Sequence, residues 1–230
     1  MTVNLRSLAC LALGLTSTFL VGCGMSRPYP QKALFAIDPG QPTQVSRPVS
    51  PCIVLVQGVH VASPFDAQTF FYKRAGLQYE MDYYNGFIAP PEQLLNGSLR
   101  AWLSQSGLFA AVVGPGGRLN PQYLLEGNVT ELCGDYSDAK APKARLAVSF
   151  FFVDVRPVDG QIVFQKSYQA AAPISGAGPD AIAAALNAAY RTILVELTDD
   201  LARVDYAPAP VATVGTGEAT TQPASTEPAR

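Results

Sequence analysis

Histidine is almost missing from the chain, which has only one, His60, among its 230 residues. Most zinc sites and many acid–base pairs use more than one imidazole, so this scarcity argues against them. The sequence also has neither the Gly-x-Ser-x-Gly turn of serine hydrolases nor the Gly-x-x-x-x-Gly-Lys-Ser/Thr phosphate loop. Because His60 lies in an apolar run, a structural role is favoured for it. The sequence therefore predicts no catalytic residue, no metal site and no cofactor.

Positive charge is in short supply as well. Lysine and arginine total 16 against 18 aspartate and glutamate, for a formal net charge of −2. Proteins that bind nucleic acid usually carry an excess or a cluster of basic residues, because phosphate contacts supply most of their affinity. No such cluster is present here. We therefore expect no nucleic-acid partner.

The N-terminal apolar run is too short to span a membrane. It covers residues 8–20, whereas a membrane-spanning helix needs about 20 residues. The run follows Arg6 and leads into Leu20-Val21-Gly22-Cys23, which resembles the lipobox of a bacterial signal peptide. In such segments the cysteine thiol receives diacylglycerol before the peptide is cleaved. We predict that residues 1–22 are an export signal and that Cys23 is the lipid-bearing first residue of the mature protein.

The predicted lipid anchor sets the expected location. Two or more acyl chains hold a protein firmly at a membrane without spanning it. The mature protein should therefore be membrane-anchored on the periplasmic side. Gly24 follows the lipidated position, where an aspartate would favour the inner membrane, so the outer membrane is favoured.

Only two cysteines remain once the N-terminal segment is assigned. Cys10 is removed with the signal and Cys23 carries lipid, so Cys52 and Cys133 are left in an oxidising compartment. Two readings are open for this pair, a disulfide or two buried thiols that pack as small apolar side chains. We favour the disulfide, because unpaired thiols in the periplasm are prone to oxidation.

Composition divides the mature chain into three parts. The segment before residue 50 is rich in proline, and the segment after residue 206 is built mainly from proline, alanine, threonine, glycine and serine. Such segments bury too little apolar surface to offset the entropy lost on ordering. We therefore predict a flexible tether over 23–49, one folded domain over 50–205 and a disordered tail over 206–230.

Hydrophobic periodicity within 50–205 indicates an α+β domain. Proline at 90 and 91 suits a helix start, and Gly107 suits a left-handed C-cap at which Leu103 and Leu108 meet. Strands are predicted over 51–61, 69–73, 77–83, 109–113, 123–136, 145–155 and 158–171, and helices from Pro90 to Gly107 and over 179–204. We expect a mainly antiparallel sheet with both helices packed on one face.

Aromatic residues are concentrated in one part of the domain. Eight of them lie within residues 65–87, and about half should belong to the core. Those that remain exposed suit a protein interface or a lipid-facing surface. We predict that the partner-binding surface includes Tyr79, Tyr83, Tyr84 and Phe87.

The same region carries a resemblance to a known family. Tyr83-Tyr84, Phe87-Ile88-Ala89-Pro90-Pro91, Trp102-Leu103 and Ser106-Gly107-Leu108-Phe109 follow one another at a spacing similar to that of ABC-type transport auxiliary lipoproteins, also called PqiC-like. The resemblance covers about 50–205 together with the lipobox. The proline-opened helix that ends in Ser-Gly-Leu-Phe is its most specific part.

The resemblance implies a function in lipid transport. Lipoproteins of this family serve ABC importer-like systems that contain mammalian-cell-entry (MCE) proteins, move lipids between the inner and outer membranes and maintain the envelope barrier. The implied partners are an MCE-type protein and, indirectly, an ABC permease and ATPase, with a homo-oligomer as a further option. The alternative is a structural or assembly lipoprotein of an outer-membrane or secretion complex.

The lipobox assignment leads to a direct test. The variant Cys23→Ala should lose the anchor, because the thiol that accepts diacylglycerol is gone. We expect it to be released from membranes or to accumulate as an unprocessed precursor, which fractionation and intact mass will show. Membrane retention with the wild-type mature mass would contradict the assignment.

Overall fold

The computed structural model describes residues 31–43 and 50–206. The predicted signal 1–22, Cys23 and the predicted tail beyond Tyr206 lie outside the described residues. In chain order the elements are β1 Ala33–Phe35, β2 Ser50–Val61, β3 Thr69–Lys73, β4 Tyr79–Phe87, α1 Pro91–Ser106, β5 Phe109–Val113, β6 Tyr123–Asp135, β7 Lys143–Asp154, β8 Gln161–Pro173 and α2 Pro179–Leu201.

In the described part of the chain, strand β6 is the centre of an eight-stranded sheet. Along one edge it pairs with β7 over its whole length, from Tyr123 to Asp135, and β7 pairs in turn with β8. Its other edge is divided between two strands, because β2 pairs with the first half of β6 and β3 pairs only with Gly134 and Asp135. Strand β5 extends the sheet beyond β2, whereas β4 and then β1 extend it beyond β3.

The sheet is mixed, so the prediction of a mainly antiparallel sheet is wrong in that respect. Among the described residues, the pairings β1–β4, β2–β5, β2–β6 and β3–β6 are parallel. The pairings β3–β4, β6–β7 and β7–β8 are antiparallel. Each of these three antiparallel pairings joins two strands that are consecutive in the sequence. The parallel pairings join strands that are distant in sequence, and alternation within a strand carries no information about them.

The predicted helix after Pro90 is confirmed as α1. Proline occupies its first turn, where a missing N–H costs no helical hydrogen bond. Leu95, Leu99, Trp102 and Leu103 are buried on one side of the helix. Gly107 ends it in the left-handed conformation with φ 72°, which residues other than glycine rarely adopt.

The two helices pack on the same face of the sheet and against each other. In their buried contact Trp102 Nε1 donates to Thr198 Oγ1 at 3.0 Å, and the Tyr190 hydroxyl donates to the Leu95 carbonyl at 3.0 Å. Both bonds satisfy polar groups that would be costly to bury alone. The single-domain α+β architecture with two helices on one face is confirmed.

The predicted disulfide between Cys52 and Cys133 is wrong. Both thiols are free and buried. The Gln122 amide donates to the Ile53 carbonyl at 3.0 Å, which places Cys52 beside the start of β6, whereas Cys133 lies near its end. Roughly eleven residues of extended strand correspond to about 35 Å. A disulfide requires Cα atoms within about 7 Å of each other.

The folded domain extends beyond both predicted boundaries. Strand β1 lies inside the segment predicted as tether, and Ile37 just after it is buried in the core. Tyr206, predicted as the first residue of the tail, packs edge-on against Phe109, Tyr123 and Phe152. Composition did not reveal that these two segments belong to the folded domain, because each contributes only one or two apolar side chains to the core.

No helix within 31–43 and 50–206 combines the length and the apolar character that crossing a membrane requires.

Tyr206 provides a stability test at the end of the domain. Tyr206→Ala removes three edge-to-face ring contacts and a hydrogen bond from its hydroxyl to the Leu201 carbonyl at 2.7 Å. We expect the free energy of unfolding to fall by about 2 kcal/mol in chemical denaturation. The matched control is Tyr83→Ala, because Tyr83 is 82% exposed, and it should change stability by less than about 0.5 kcal/mol. Equal stability of the two variants would contradict the assignment of Tyr206 to the folded domain.

The free thiols can be counted directly. Burial raises the pKa of Cys133 to about 12, and the carboxylate of Glu131 adds to the shift. Burial also raises the pKa of Cys52. We expect slow labelling of both thiols at neutral pH in the native protein and complete labelling after unfolding without reductant. Protection that persists in the unreduced, unfolded protein would mean that the two cysteines are bonded.

Candidate functional site: an exposed aromatic hairpin

The hairpin formed by β3 and β4 carries the exposed aromatic residues. Lys73 pairs with Tyr79 next to the turn, and the Arg74 amide donates to the Gln78 carbonyl at 2.8 Å. Gly76 adopts φ 70° in this turn. The segment just after β6 supports the turn, where the Tyr136 amide donates to the Lys73 carbonyl at 2.9 Å and the Ser137 hydroxyl donates to the Arg74 carbonyl at 2.9 Å. The tip therefore lies at the outer end of the sheet.

One face of this hairpin is apolar and open to solvent. Tyr79 and Met81 alternate on β4 and are 40% and 53% accessible, while Leu77 in the turn before them is 96% accessible and Tyr83 just after them is 82% accessible. We refer to these four residues as the apolar hairpin face. Scattered exposed apolar residues are common, but a continuous group of large side chains marks an interaction surface.

A wide bulge in β4 brings the tyrosines out of the sheet. Thr69 pairs with Gly86 and Phe71 with Met81, so the four residues 82–85 lie opposite Phe70 alone. Bulges of this kind twist a strand and redirect its side chains. Here the bulge exposes Tyr83 and leaves Tyr84 43% accessible.

The carboxylate of Asp82 holds the bulge in shape. Its Oδ1 accepts hydrogen bonds from the amides of Tyr84 at 2.8 Å and Asn85 at 3.0 Å. Its Oδ2 accepts from Asn85 Nδ2 at 2.9 Å and from the hydroxyl of Tyr72. The hydroxyl of Thr69 donates to the Asp82 carbonyl. One side chain thus satisfies the backbone groups that the bulge removes from the ladder.

Titration behaviour agrees with this role for Asp82. Burial opposes ionisation of its carboxyl, but the hydrogen bonds from Tyr72, Asn85 and Tyr84 outweigh burial and lower its pKa. Burial and the bond to the Asp82 carboxylate both raise the pKa of Tyr72, so its hydroxyl stays a donor. The pair is therefore fixed in one protonation state at neutral pH.

Gly86 permits the return of β4 to the sheet. A Cβ atom at this position would lie 2.0 Å from the Gln68 carbonyl oxygen, which no side chain can tolerate. The Phe87 amide donates to that same oxygen at 2.8 Å. The close backbone approach therefore ends the bulge and turns the next side chain inward.

Phe87 belongs to the core, so its prediction as a partner-binding residue is wrong. It is 4% exposed and packs edge-on against Phe70 with ring centroids 5.0 Å apart. The other three predicted residues, Tyr79, Tyr83 and Tyr84, are exposed. Tyr79 is also anchored, because its ring packs edge-on against Phe65 at 5.9 Å.

The opposite face of the hairpin is polar and tied to the domain. Arg74 Nε donates to Glu80 Oε2 at 2.9 Å across the hairpin. The same guanidinium lies 5.2 Å from the ring centre of Tyr136 and 5.8 Å from that of Tyr72. These contacts hold the hairpin in position while leaving its apolar face uncovered.

Apart from the hairpin, a polar cleft of about 350 Å³ lies around His60. His60 Nδ1 lies 3.1 Å from Glu92 Oε2, and the His60 side chain is largely exposed. Asn96 bonds both the amide and the carbonyl of Val59, and so replaces a missing strand at this edge of β2. Within the described part of the chain no group of three or more potential metal ligands comes together.

Comparisons with known proteins agree with this architecture. A family model described as "ABC-type transport auxiliary lipoprotein component" matches residues 35–198. A crystal structure of a protein from Xanthomonas campestris is similar with a TM-score of 0.65 and 21% identity, covering 72% of this chain and 92% of that one. The structure of an uncharacterized protein is similar with a TM-score of 0.59 and 17% identity, covering 74% and 99%.

The comparison with curated proteins found no match. At these identities the solved structures support the fold alone. The family model carries more, because it spans most of the chain and begins at β1 rather than at residue 50. The chain belongs to the family of ABC-type transport auxiliary lipoprotein components.

Proposed function

We propose that this protein is a periplasm-facing accessory lipoprotein of an ABC/MCE-type lipid transport system that maintains the cell envelope. Membership of the auxiliary family supports the accessory role. The Leu20-Val21-Gly22-Cys23 motif supports an anchor at Cys23, and Gly24 favours the outer membrane. The role is binding, without catalysis.

The exposed part of β4 is the observation that carries the binding role. Strand β1 pairs only with 85–87, so within the described chain no strand covers the outer edge of 79–84. An open edge offers backbone N–H and C=O groups to an added strand, and here that stretch is 79–81, because the amide of Tyr84 and the carbonyl of Asp82 are already bonded inside the bulge. Tyr84 lies beside this edge and is half-exposed. An extended segment of an MCE-type protein can pair with the edge and contact that ring.

The absence of turnover is part of the same proposal. The one imidazole faces a single carboxylate, that of Glu92, in an open cleft. Nucleophilic catalysis normally needs a nucleophile beside its base and a third group that orients the base. Cys133, the more deeply buried thiol, keeps its proton because burial raises its pKa to about 12. These groups fit structural roles.

The partner surface can be tested by co-purification. Tyr84→Ala should weaken association with the transport subunits by about 1–2 kcal/mol, because tyrosines often dominate interface energy. That change corresponds to a roughly 5- to 30-fold rise in Kd. Val158→Ala is the matched control, since Val158 is fully exposed in the distant β7–β8 turn. Circular dichroism should first show that both variants are folded.

Two results would count against the proposal. Normal association of folded Tyr84→Ala would place the partner surface elsewhere on the domain. If wild type recovers no MCE-type protein but brings down a secretin or porin-assembly protein, the structural lipoprotein alternative replaces the transport function.

A further inference from the structure

The apolar hairpin face lies at the end of the sheet from which the chain runs back toward Cys23. We propose that this face, formed by Leu77, Tyr79, Met81 and Tyr83, rests in the headgroup region of the membrane that carries the anchor. The inference extends the proposed function and depends on its lipid anchor. It names a second membrane contact, made by the folded domain itself.

The chemistry of the face suits a lipid surface. Leu77 at the tip is 96% exposed and Met81 is 53% exposed, so two flexible apolar side chains present much of their surface to solvent. Tyr79 lies between them in the chain and Tyr83 follows Met81, each with an apolar ring and a polar hydroxyl. Side chains of this kind collect where hydrocarbon meets the polar headgroups. An interfacial element of this type typically sinks about 5–10 Å into that boundary.

The direction of the chain brings this face toward the anchor. Strand β1 runs parallel to β4, with Ala33 opposite Asn85 and Phe35 opposite Phe87. The start of β1 therefore points to the same end of the sheet as Tyr79 and the hairpin tip. Ala33 is ten positions after Cys23, and a chain of that length spans at most about 35 Å. An anchored Cys23 thus keeps this end of the domain close to the bilayer.

Charge at this end of the domain also favours phospholipid headgroups. Four of the five lysines lie here: Lys32 before β1, Lys73 next to the hairpin turn, Lys140 in the loop after β6, and Lys143 at the start of β7. Contact with acyl chains alone would not favour a group of lysines at this end of the domain. Phosphate headgroups attract lysines held close to the surface.

Three of the acidic side chains beside the face are already engaged within the domain. Glu80 pairs with Arg74 at 2.8 Å, and Asp82 accepts hydrogen bonds across its bulge. Asp135 accepts a hydrogen bond from Arg145 Nη1 at 3.3 Å. The charges of these three carboxylates are partly neutralised, which lowers the local opposition to contact between the lysines and the headgroups.

Fluorescence quenching by brominated lipids tests the contact. The full-length lipidated protein carrying Leu77→Trp is placed in vesicles of phosphatidylethanolamine and phosphatidylglycerol, with or without brominated acyl chains. The native Trp102 is buried inside the domain, so its emission provides a constant background. We expect brominated lipid to remove most of the added emission, more strongly when bromine lies near the ester carbonyls than near the terminal methyls.

The matched control is Val158→Trp. Val158 is as exposed as Leu77 but follows β7, whose last residue pairs with the start of β6, so it lies at the opposite end of the sheet. We expect no quenching there. Tyr83→Trp supplies a second reporter on the face and should behave like Leu77→Trp. Melting curves and intact mass establish that each variant is folded and lipidated.

Each outcome decides the matter. Quenching at positions 77 and 83 but not at 158 supports the membrane contact. Unquenched emission at 77 and 83 in folded, lipidated protein overturns it and leaves the face available to a protein. Equal quenching at 158 also overturns it, because the domain would then lie without preferred orientation. Loss of the lipid from the intact mass would instead refute the anchor, and so would separate a failure of the proposed function from a failure of this inference.

Discussion

The structure depends on how the two edges of β6 are occupied. Its first edge is fully paired with β7, which makes β6 and β7 a continuous ladder from Tyr123 to Asp135. Its second edge is divided between two strands. The pairing with β2 ends at Val129 of β6, and the pairing with β3 begins only at Gly134 of β6. Strand β3 pairs with β6 only at Gly134 and Asp135, the last two residues of β6. The hairpin that β3 forms with β4 therefore extends beyond the end of β6, where no described strand covers it. The exposed aromatic surface is therefore a consequence of the sheet topology.

One-sided packing explains why the domain tolerates this overhang. Both helices lie on the same face, where Trp102 bonds Thr198 and Tyr190 bonds the Leu95 carbonyl inside the core. Those contacts stabilise the half of the sheet near β2, β6 and β7. The hairpin is held by the buried rings of Phe70, Phe71 and Phe87, and its bulge is shaped by local polar contacts, chiefly those of the Asp82 carboxylate. A surface whose shape depends on its own hydrogen bonds can present apolar side chains without loosening the core.

Local features of the fold were predictable because they depend on short-range chemistry. The proline start and the glycine end of α1 follow from backbone preferences within a single turn. The burial of Phe87 was not predictable, because the bulge at 82–85 breaks the two-residue alternation on which the assignment of a face depends. The disulfide prediction failed for a different reason. Only the long-range register of β2 against β6 separates Cys52 from Cys133, and no spacing within the sequence encodes that register.

The geometry of a β-strand allows both proposed contacts to form on one hairpin. Side chains project above and below a strand, whereas its hydrogen-bonding groups point sideways within the sheet. A partner segment added beside 79–81 would therefore extend the sheet sideways and leave Leu77 and Met81 directed at lipid. Tyr84 lies beyond the start of the bulge and is free to contact the added strand. An accessory subunit built in this way could hold a transport partner at a fixed height above the bilayer, since the same hairpin would touch both.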